Sequence, residues 1–444
     1  MRSPTYHGLH LPTHKQQTRD AAIVGAPVPD TLVLPLNQHG DAELRPCVQV
    51  GDAVRMGQLI AQPALTSEQP ALGACLHSPV SGSVLAIEPH ATARPCGDAM
   101  SIIIGNDHLE RRDDSLQTYD NWADLQPLSL CALLARGGMA GLGGAVFPTA
   151  TKLAAHVQHP LEYLLINGME CEPYITCDDR LMRERAEQIL QGAQILLHAA
   201  QARHCRVAIE SDKPEALAAM RTAAQSLNDS RIEIHAMATA YPSGDEGQLI
   251  AQLLHREIPR GALPADVGVI VQNVATAYAC ARWIHHGEPL ISRIVTVTGP
   301  GIHRPGNMEV RLGTRMSDLI TTCGGDQHAL NTGMLIMGGA MMGRALAHDH
   351  YPIIKASNCL IVAAHALKPA AAEMPCIRCG ECAQACPVHL LPQQLLTYAR
   401  NDNRHALHEL GLSDCIECGY CDYVCPSNIT LAARFYAAKQ YAPD

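Results

Sequence analysis

The sequence lacks the features of a nucleic-acid-binding or membrane-spanning chain. It has no Lys/Arg cluster with interleaved aromatic residues, and its formal net charge of -10 would repel a phosphate backbone. Its uncharged stretches, such as residues 267–281, are shorter than the roughly 20 apolar residues that a bilayer crossing needs. Residues 1–20 are polar and resemble no signal peptide. We therefore expect no nucleic-acid partner, no membrane span of its own and a cytoplasmic location.

Length and composition favour a modular globular protein. The chain has 444 residues, of which 47% are hydrophobic and 17% charged. At about 100 to 200 residues per domain, this length predicts three or four domains. The 18 cysteines would stay reduced in the cytosol, so metal ligation explains the clustered ones better than disulfides do. The ten scattered cysteines are interpreted as small buried apolar residues.

The clustered cysteines form two runs of the pattern C-x2-C-x2-C-x3-C-P, at residues 376–387 and 415–426. Runs of this kind bind four-iron clusters, and the fourth cysteine of each run ligates the neighbouring cluster. Zinc is the alternative, but four cysteines per run followed by proline fit a tetrahedral zinc site poorly. The pattern predicts one [4Fe-4S] cluster on Cys376, Cys379, Cys382 and Cys425, and a second on Cys415, Cys418, Cys421 and Cys386.

The middle of the chain alternates between apolar strands and amphipathic helices. Apolar runs predict strands at residues 161–167, 206–210, 232–237 and 268–273. Between the first two, apolar residues follow a helix-face spacing from Met182 to Leu197, and Pro214 begins a second helix. This alternation predicts a mostly parallel sheet.

Polar residues follow these strands. Asn167, Glu170 and Glu172 come after the first strand, residues 241–246 after the third, and Asn273 and Thr276 after the fourth. In parallel sheets ligands bind beyond the carboxyl ends of the strands. The pattern therefore indicates a ligand crevice, although ordinary loop polarity is an alternative at this point.

A glycine-rich loop precedes the first strand. Gly141, Gly143 and Gly144 can present backbone N–H groups to a phosphate, and Lys152 adds a positive charge. The loop is neither a Walker loop nor a dinucleotide fingerprint, because Val146 stands at the third glycine position. Phe147, one of only two phenylalanines, either stacks on an aromatic ligand or packs in the core.

Four motifs give the chain a resemblance to a known family. They are G-L-G-G-A-x-F-P-T-x-x-K at 141–152, N-G-M-E-C-E-P-Y at 167–174, Y-P-S-G-D-E-G-Q-L-I at 241–250, and N-V-A-T at 273–276. Together with the doubled cysteine run, they resemble the C subunit of the Rnf-type ion-translocating ferredoxin:NAD oxidoreductase complex. That subunit is itself related to the flavin-bearing, NADH-oxidising subunit of respiratory complex I.

The resemblance implies cofactor-binding residues. It implies that FMN is bound by Gly141, Gly143, Gly144, Lys152, Asn167, Glu170, Asn273 and Thr276. It also implies that nicotinamide stacks on the flavin near Phe147, while the dinucleotide is held by Glu172, Gly244, Asp245 and Glu246. No side chain is expected to act as a catalytic acid or base. Val146 and Ala150 stand where related sequences usually carry glycine, which would crowd the flavin loop.

The fold class expected from these observations is multidomain α/β. We predict a barrel-sandwich (biotinyl/lipoyl-like) domain at 1–118, a Rossmann-like FMN/NADH domain at 119–286, a soluble-ligand-binding β-grasp domain at 287–345, a connecting strand segment at 346–366, and an α-helical ferredoxin-type domain with two 4Fe-4S motifs at 367–444. Within the last of these, helical spacing over residues 390–412 predicts helices between the two cluster loops.

The resemblance implies an NADH:ferredoxin oxidoreductase of the translocase class. We expect a peripheral subunit on the cytoplasmic face of the bacterial inner membrane, which moves electrons between NAD(H), FMN and two clusters. Integral and peripheral subunits of the same complex would be its partners, with ferredoxin or flavodoxin as the indirect redox partner.

The alternatives are a soluble diaphorase module of a hydrogenase or formate dehydrogenase, and a flavin-free electron-transfer scaffold. Diaphorase modules typically carry a single terminal cluster, which the doubled run argues against.

Overall fold

Two small antiparallel sheets form the first part of the molecule. The structure is a computed structural model that describes residues 8–38, 44–64, 73–93, 96–325, 334–363 and 372–440. The first strand of the chain, β1 (Ile23–Gly25), belongs to another sheet. The strands of this part are β2 (Thr31–Pro35), β3 (Leu44–Pro46), β4 (Ala53–Val54), β5 (Leu59–Pro63), β6 (Leu76–His77), β7 (Gly82–Ala93) and β8 (Cys96–Asn106). One sheet has the order β2-β8-β7-β4 and the other β3-β5-β6. The predicted barrel-sandwich architecture is confirmed.

Alternation of apolar residues explains the long hairpin of β7 and β8. Ile102 and Ile104 in β8 are fully buried, whereas Ile103 between them is only partly buried. Gly82 begins β7 where the two strands lie too close for a side chain, since a Cβ there would lie 1.8 Å from the Gly105 carbonyl oxygen. The hairpin thus packs one face of each strand into the core of the sandwich.

A parallel sheet forms the middle of the molecule. Its strands are β9 (Tyr163–Gly168), β10 (His204–Glu210), β11 (Ile232–Met237) and β12 (Val269–Asn273), in the order β11-β10-β9-β12. All neighbouring pairs are parallel, as predicted. The helices of this part are α1 (Pro127–Arg136), α2 (Thr149–Leu153), α3 (Cys177–Glu184), α4 (Ala186–Ala200), α5 (Pro214–Leu227), α6 (Glu246–Leu254) and α7 (Val274–His286).

Helix α4 carries the apolar face that the spacing predicted. Ile189, Leu196 and their neighbours on this face are fully buried, and each such side chain contributes about 1.5 to 3 kcal/mol on burial. Gly192 permits close packing against α7, because a Cβ there would lie 1.8 Å from the Ala277 carbonyl oxygen. The predicted helix does not extend as one unit from Met182, since Arg185 has φ -134° and separates α3 from α4.

A mixed sheet joins distant parts of the chain. Its strands are β1 together with β13 (Ser292–Thr298), β14 (Gly306–Arg311), β15 (Met334–Met337), β16 (Arg344–Leu346) and β17 (Cys359–Ala363), in the order β1-β14-β13-β17-β15-β16. Helix α8 (Met316–Thr322) lies between β14 and β15 in the chain. Val295 and Leu360 belong to the same buried cluster as Leu32 and Ile102, so this sheet and the sandwich share a core.

Short helices carry the two cysteine runs. They are α9 (Glu381–Ala385), α10 (Pro392–Arg400), α11 (Arg404–Glu409), α12 (Tyr420–Tyr423) and α13 (Leu431–Gln440). Leu395, Leu407 and Phe435 form their core. Helices α10 and α11 lie between the runs, as predicted. Within the described ranges, no helix combines the length and apolarity that crossing a membrane requires.

Candidate functional site

The glycine-rich loop lies over the start of helix α7. The backbone N–H of Leu142 donates to the Thr276 hydroxyl at 2.9 Å. Gly143 lies beside Asn273, where an added Cβ would be 3.6 Å from the Asn273 Cβ. Gly144 has φ 109°, and a Cβ there would point into open space. The loop therefore presents backbone next to a helix N-terminus, where partial positive charge favours a phosphate.

Two residues at the end of the loop differ in exposure. Val146 is buried against Ala140 and Ile354 and has φ 57°, a left-handed conformation that β-branched residues rarely adopt. Glycine is the residue that adopts this conformation without strain. The neighbouring Phe147 is 52% exposed, which excludes plain core packing and leaves its ring available to a ligand.

Polar residues beyond three strands come together, as the sequence predicts. Asn167 at the end of β9 is the register partner of Asn273 at the end of β12. The Asn167 amide also donates to the Gly244 carbonyl at 2.9 Å. Lys152, just after the glycine-rich loop, forms an ion pair with Glu246. The loop, the strand ends and the segment around residue 244 thus meet at one edge of the sheet, where the sequence predicts the ligand crevice.

Asp245 and Asn273 begin the helices that border the crevice. The Asp245 carboxylate accepts a hydrogen bond from the Gln248 N–H at 3.1 Å and so caps α6. The Asn273 side chain accepts from the Ala275 N–H at 2.8 Å and caps α7. Burial raises the pKa of Asp245 from its usual value. Both predicted site residues therefore have a role in fixing the local backbone.

Glu170 lies beneath the crevice among other charged groups. It is 5% exposed, and its carboxylate accepts a hydrogen bond from the Asp178 N–H at 2.8 Å. Burial raises the pKa of Glu170 to about 7, although Lys15 and Lys213 act in the opposite direction. Burial likewise lowers the pKa of Lys213 to about 7, and Lys213 pairs with Glu210. These residues form a buried charge network beneath the loop that follows β9.

Glu172 faces the mixed sheet. Its carboxylate accepts hydrogen bonds from the backbone N–H groups of Met341 at 3.0 Å and Met342 at 2.8 Å. Burial raises the pKa of Glu172, and the two N–H donors oppose that rise. The motif at 167–174 is therefore tied to the loop after β15.

The two cysteine runs adopt the same backbone conformation. Each run has left-handed residues two and four positions after its first cysteine and three positions after its last: Arg378, Gly380 and His389 in the first run, and Glu417, Gly419 and Asn428 in the second. Turns of this kind direct successive N–H groups to one side, which suits an anionic iron-sulfur cluster. The Leu390 N–H, for example, donates to the Cys386 sulfur at 3.3 Å.

The fourth cysteine of each run lies beside the other run. Cys386 lines one cavity with Cys415, Cys418 and Cys421, and the apolar wall of this cavity includes Phe435. Burial raises the pKa of Cys418 to about 12, and the nearby thiols of Cys386 and Cys415 add to that rise.

Cys425 has the matching position beside the first run. Burial raises the pKa of the Cys382 thiol, and the neighbouring Cys379 and Cys425 raise it further. Cys376 and Cys379 are exposed, whereas Cys418 is buried. The crossed arrangement is the one that the spacing predicts.

The residues present fit the cofactors that the sequence suggests. Thr149 Oγ1, Ser243 Oγ and Gln272 Nε2 are buried polar atoms that lack a hydrogen-bond partner among the described residues. They lie in the segments that border the crevice, where a polar ligand could satisfy them. Eight thiols arranged in two crossed sets fit two cubane clusters, because soft thiolate ligands favour iron-sulfur centres.

Comparison with family models assigns a type to each part of the chain. The model described as "RnfC Barrel sandwich hybrid domain" matches residues 5–109, and "Nuo51 FMN-binding domain" matches 134–282. "SLBB domain" matches 294–345, and "4Fe-4S dicluster domain" matches 375–429. The cofactors of the chain are therefore FMN and iron-sulfur clusters.

Curated relatives cover nearly the whole chain. A protein of Rhodobacter capsulatus, named as the C subunit of an ion-translocating oxidoreductase complex, is 42% identical over 440 residues, which are 97% of this chain and 82% of the relative. The chain belongs to this C-subunit family. A family member from Pseudomonas aeruginosa is 46% identical over 97% of this chain, and one from Vibrio cholerae is 43% identical over 92%.

The chain spans about half the length of these last two relatives, 55% and 52% respectively. Among solved structures, an NAD+-reducing [NiFe]-hydrogenase in the air-oxidized state has a TM-score of 0.49 and 19% identity, over 72% of this chain and 63% of that chain. A likeness at this level carries no argument about function.

Some residues around the site were not singled out from the sequence. Tyr241 and Gln248 stand inside a quoted motif, yet their contacts join this motif to the cysteine runs. Lys15, Lys213 and Lys355 come from separate segments and meet the site only in the fold. Lys15 pairs with the distant Glu170 and Lys355 contacts backbone carbonyls, and such partners leave no spacing signal in the sequence.

Proposed function

We propose that the chain moves electrons between NAD(H), FMN and two [4Fe-4S] clusters, as the peripheral electron-input subunit of a membrane-bound ion-translocating oxidoreductase. The observation that carries the proposal is a direct structural connection. The segment from Tyr241 to Gln248 contacts Asn167 and Lys152 on one side and the turns after Cys386 and around Cys418 on the other. A nucleotide crevice and a pair of thiol sets are thereby joined without an intervening domain.

The crevice residues would bind and orient the flavin and the nucleotide. A bound flavin supplies a centre that accepts a hydride as two electrons and can release them singly to iron-sulfur clusters. The loop backbone and Lys152 would hold the phosphate, and Phe147 would stack on the nicotinamide. In this proposal FMN is held by Gly141, Gly143, Gly144, Lys152, Asn167, Glu170, Asn273 and Thr276, and the dinucleotide by Glu172, Gly244, Asp245 and Glu246.

The thiols would hold the clusters in the crossed sets. Cys376, Cys379, Cys382 and Cys425 form one ligand set, and Cys386, Cys415, Cys418 and Cys421 form the other. The backbone N–H groups that the left-handed turns direct inward would offset the negative charge of each cluster. Partner subunits of the same complex would receive or supply electrons at the clusters on the cytoplasmic face of the membrane. Ferredoxin or flavodoxin is the proposed indirect partner, and the arrangement permits electron flow in either direction.

Anaerobic purification followed by metal and flavin analysis tests this function. We expect about eight irons and one FMN per chain, because each [4Fe-4S] cluster holds four irons. NADH should bleach the flavin absorbance rapidly. Eight irons without flavin would instead support a scaffold that has lost flavin, and zinc in place of iron would exclude electron transfer altogether.

A further inference from the structure

The thiol set formed by Cys386, Cys415, Cys418 and Cys421 contacts the segment after β11 directly. The Tyr241 side chain is 2% exposed, and its hydroxyl donates to the Cys418 carbonyl at 2.6 Å. Tyr241, Cys418 and Tyr420 form one buried cluster, against which Cys171 and Met341 pack. A tyrosine of the motif at 241–250 thus holds the turn that carries the second cysteine of the second run.

A second contact involves the same thiol set, beside the cysteine that the first run contributes to it. The Gln248 amide, in the first turn of α6, donates to the Pro387 carbonyl at 3.0 Å, directly after Cys386. A third contact comes from Arg260, whose guanidinium pairs at 2.8 Å with Asp414, directly before Cys415. Three of the four proposed ligands Cys386, Cys415, Cys418 and Cys421 therefore lie at, or directly beside, a residue that contacts the parallel-sheet part of the chain.

The segment from Tyr241 to Gln248, which makes the first two of these contacts, also touches the crevice residues. The Gly244 carbonyl accepts from Asn167, and Gly244 lies so close to Met169 and Cys171 that a Cβ there would be 3.0 Å from the Met169 carbonyl oxygen. The segment from Tyr241 to Gln248 therefore contacts both the crevice residues and the Cys418 turn, which brings the two sites close together.

The other thiol set faces outward. Cys376 and Cys379 are exposed, and the neighbouring Ile377 is 68% exposed. The segment before them is held by its own domain, since the Ser427 hydroxyl donates to the Pro375 carbonyl at 3.0 Å. This set is therefore the more exposed of the two, since Cys418 of the other set is buried.

We propose that Tyr241 and Gln248 are positioning residues that fix the order of the two clusters. The set of Cys386, Cys415, Cys418 and Cys421 is the inner one, next to the flavin, and the set of Cys376, Cys379, Cys382 and Cys425 is the outer one, where a partner protein exchanges electrons. This inference rests on the proposed function. When NADH is the donor, the inner set would hold the cluster that accepts each electron from the flavin, and the outer set would hold the cluster that receives the electron next. Two such transfers use up one hydride, whose proton goes to solvent.

Tyr241→Phe tests the positioning role, because it removes only the hydroxyl. The anaerobic holoprotein is titrated with dithionite and followed by electron paramagnetic resonance, so that neither NADH nor flavin is involved. We expect the midpoint potential of one cluster to shift and that of the other to stay unchanged. Tyr423→Phe, at a side chain that is 55% exposed, is the matched control and should leave both potentials unchanged.

Cys379→Ser assigns the signals. If this variant loses its cluster, the iron content falls by about half, and the signal that remains belongs to the inner cluster. The cluster that shifts in Tyr241→Phe should be this remaining one. A shift of the outer cluster, of both clusters or of neither would overturn the inference.

Reduction by NADH tests the order separately. In Cys379→Ser, NADH should still reduce the inner cluster. In Cys421→Ser, dithionite should still reduce the outer cluster, but its reduction by NADH should slow by at least an order of magnitude. An unchanged rate would overturn the order. If NADH reduces no centre in the unaltered protein, the proposed function fails, whereas the dithionite titration still decides the positions of the clusters.

Discussion

A single buried lysine joins three parts of the molecule. Lys355 is fully buried, and its ammonium donates to the Gly138 carbonyl at 2.7 Å and to the Cys75 carbonyl at 3.0 Å. Cys75 belongs to the sandwich and Gly138 to the segment that begins the glycine-rich loop. Burial lowers the pKa of Lys355 to about 7. The side chain therefore fixes the glycine-rich loop relative to both neighbouring sheets.

Lys355→Met should destabilise the protein by about 2 to 4 kcal/mol, because two buried carbonyls lose their donor. Chemical unfolding followed by circular dichroism measures the change. Arg19→Met, at a side chain that is 56% exposed, is the control and should change stability by less than about 0.5 kcal/mol. Equal stability of the Lys355 variant and the unaltered protein would contradict this role.

A second buried side chain makes stability depend on pH. His77 is 3% exposed, and burial lowers its pKa to about 3, with Lys355 and Arg136 adding to the effect. Below pH 6.5 the unfolded chain binds a proton at this residue and the folded chain does not. The free energy of unfolding should therefore fall between pH 6.5 and 3, by up to about 1.4 kcal/mol per pH unit from this group.

His77→Gln should flatten this acid dependence. Unfolding midpoints in urea at several values between pH 7 and 5 provide the measurement. His108→Gln, at a side chain that is 54% exposed, should keep the slope of the unaltered protein. Identical slopes for His77→Gln and the unaltered protein would show that another group carries the acid sensitivity.

At the scale of elements, the glycine-rich loop combines backbone strain with burial. Val146→Gly removes the left-handed strain, worth about 1 to 3 kcal/mol, and also a buried side chain worth about 1.5 to 3 kcal/mol. These effects offset each other, so we expect stability to change by about 1 kcal/mol or less. Val295→Gly, at a fully buried position in β13, should cost at least about 2 kcal/mol more. Similar losses for both variants, measured by chemical unfolding, would show that Val146 carries no strain.

The local pattern of apolar residues predicted the strands of the parallel sheet well. The strands of the parallel sheet begin within two residues of their predicted positions, because their apolar runs are continuous and bounded by polar residues. The break at Arg185 was not predicted, because the apolar face continues across it and only the backbone angle changes.

At the scale of the whole molecule, contacts between distant segments were the part that the sequence could not supply. Strand β1 pairs with β14, and β17 pairs with β13 across more than fifty residues of intervening chain. The position of Cys386 and Cys425, each beside cysteines of the other run, could be predicted from the spacing of the two runs. The contacts of Tyr241, Gln248 and Glu172 could not, since each partner is a backbone group and backbone groups leave no trace in the pattern of residue types.

The central claim is that electrons pass from a nucleotide crevice to two adjacent clusters. Rapid mixing of the anaerobic protein with NADH, followed by freezing at successive times, measures this most directly by optical and electron paramagnetic resonance spectra. The account predicts that flavin absorbance bleaches first and that signals from both reduced clusters then appear. Bleached flavin beside clusters that stay oxidised, although dithionite reduces them, would contradict it.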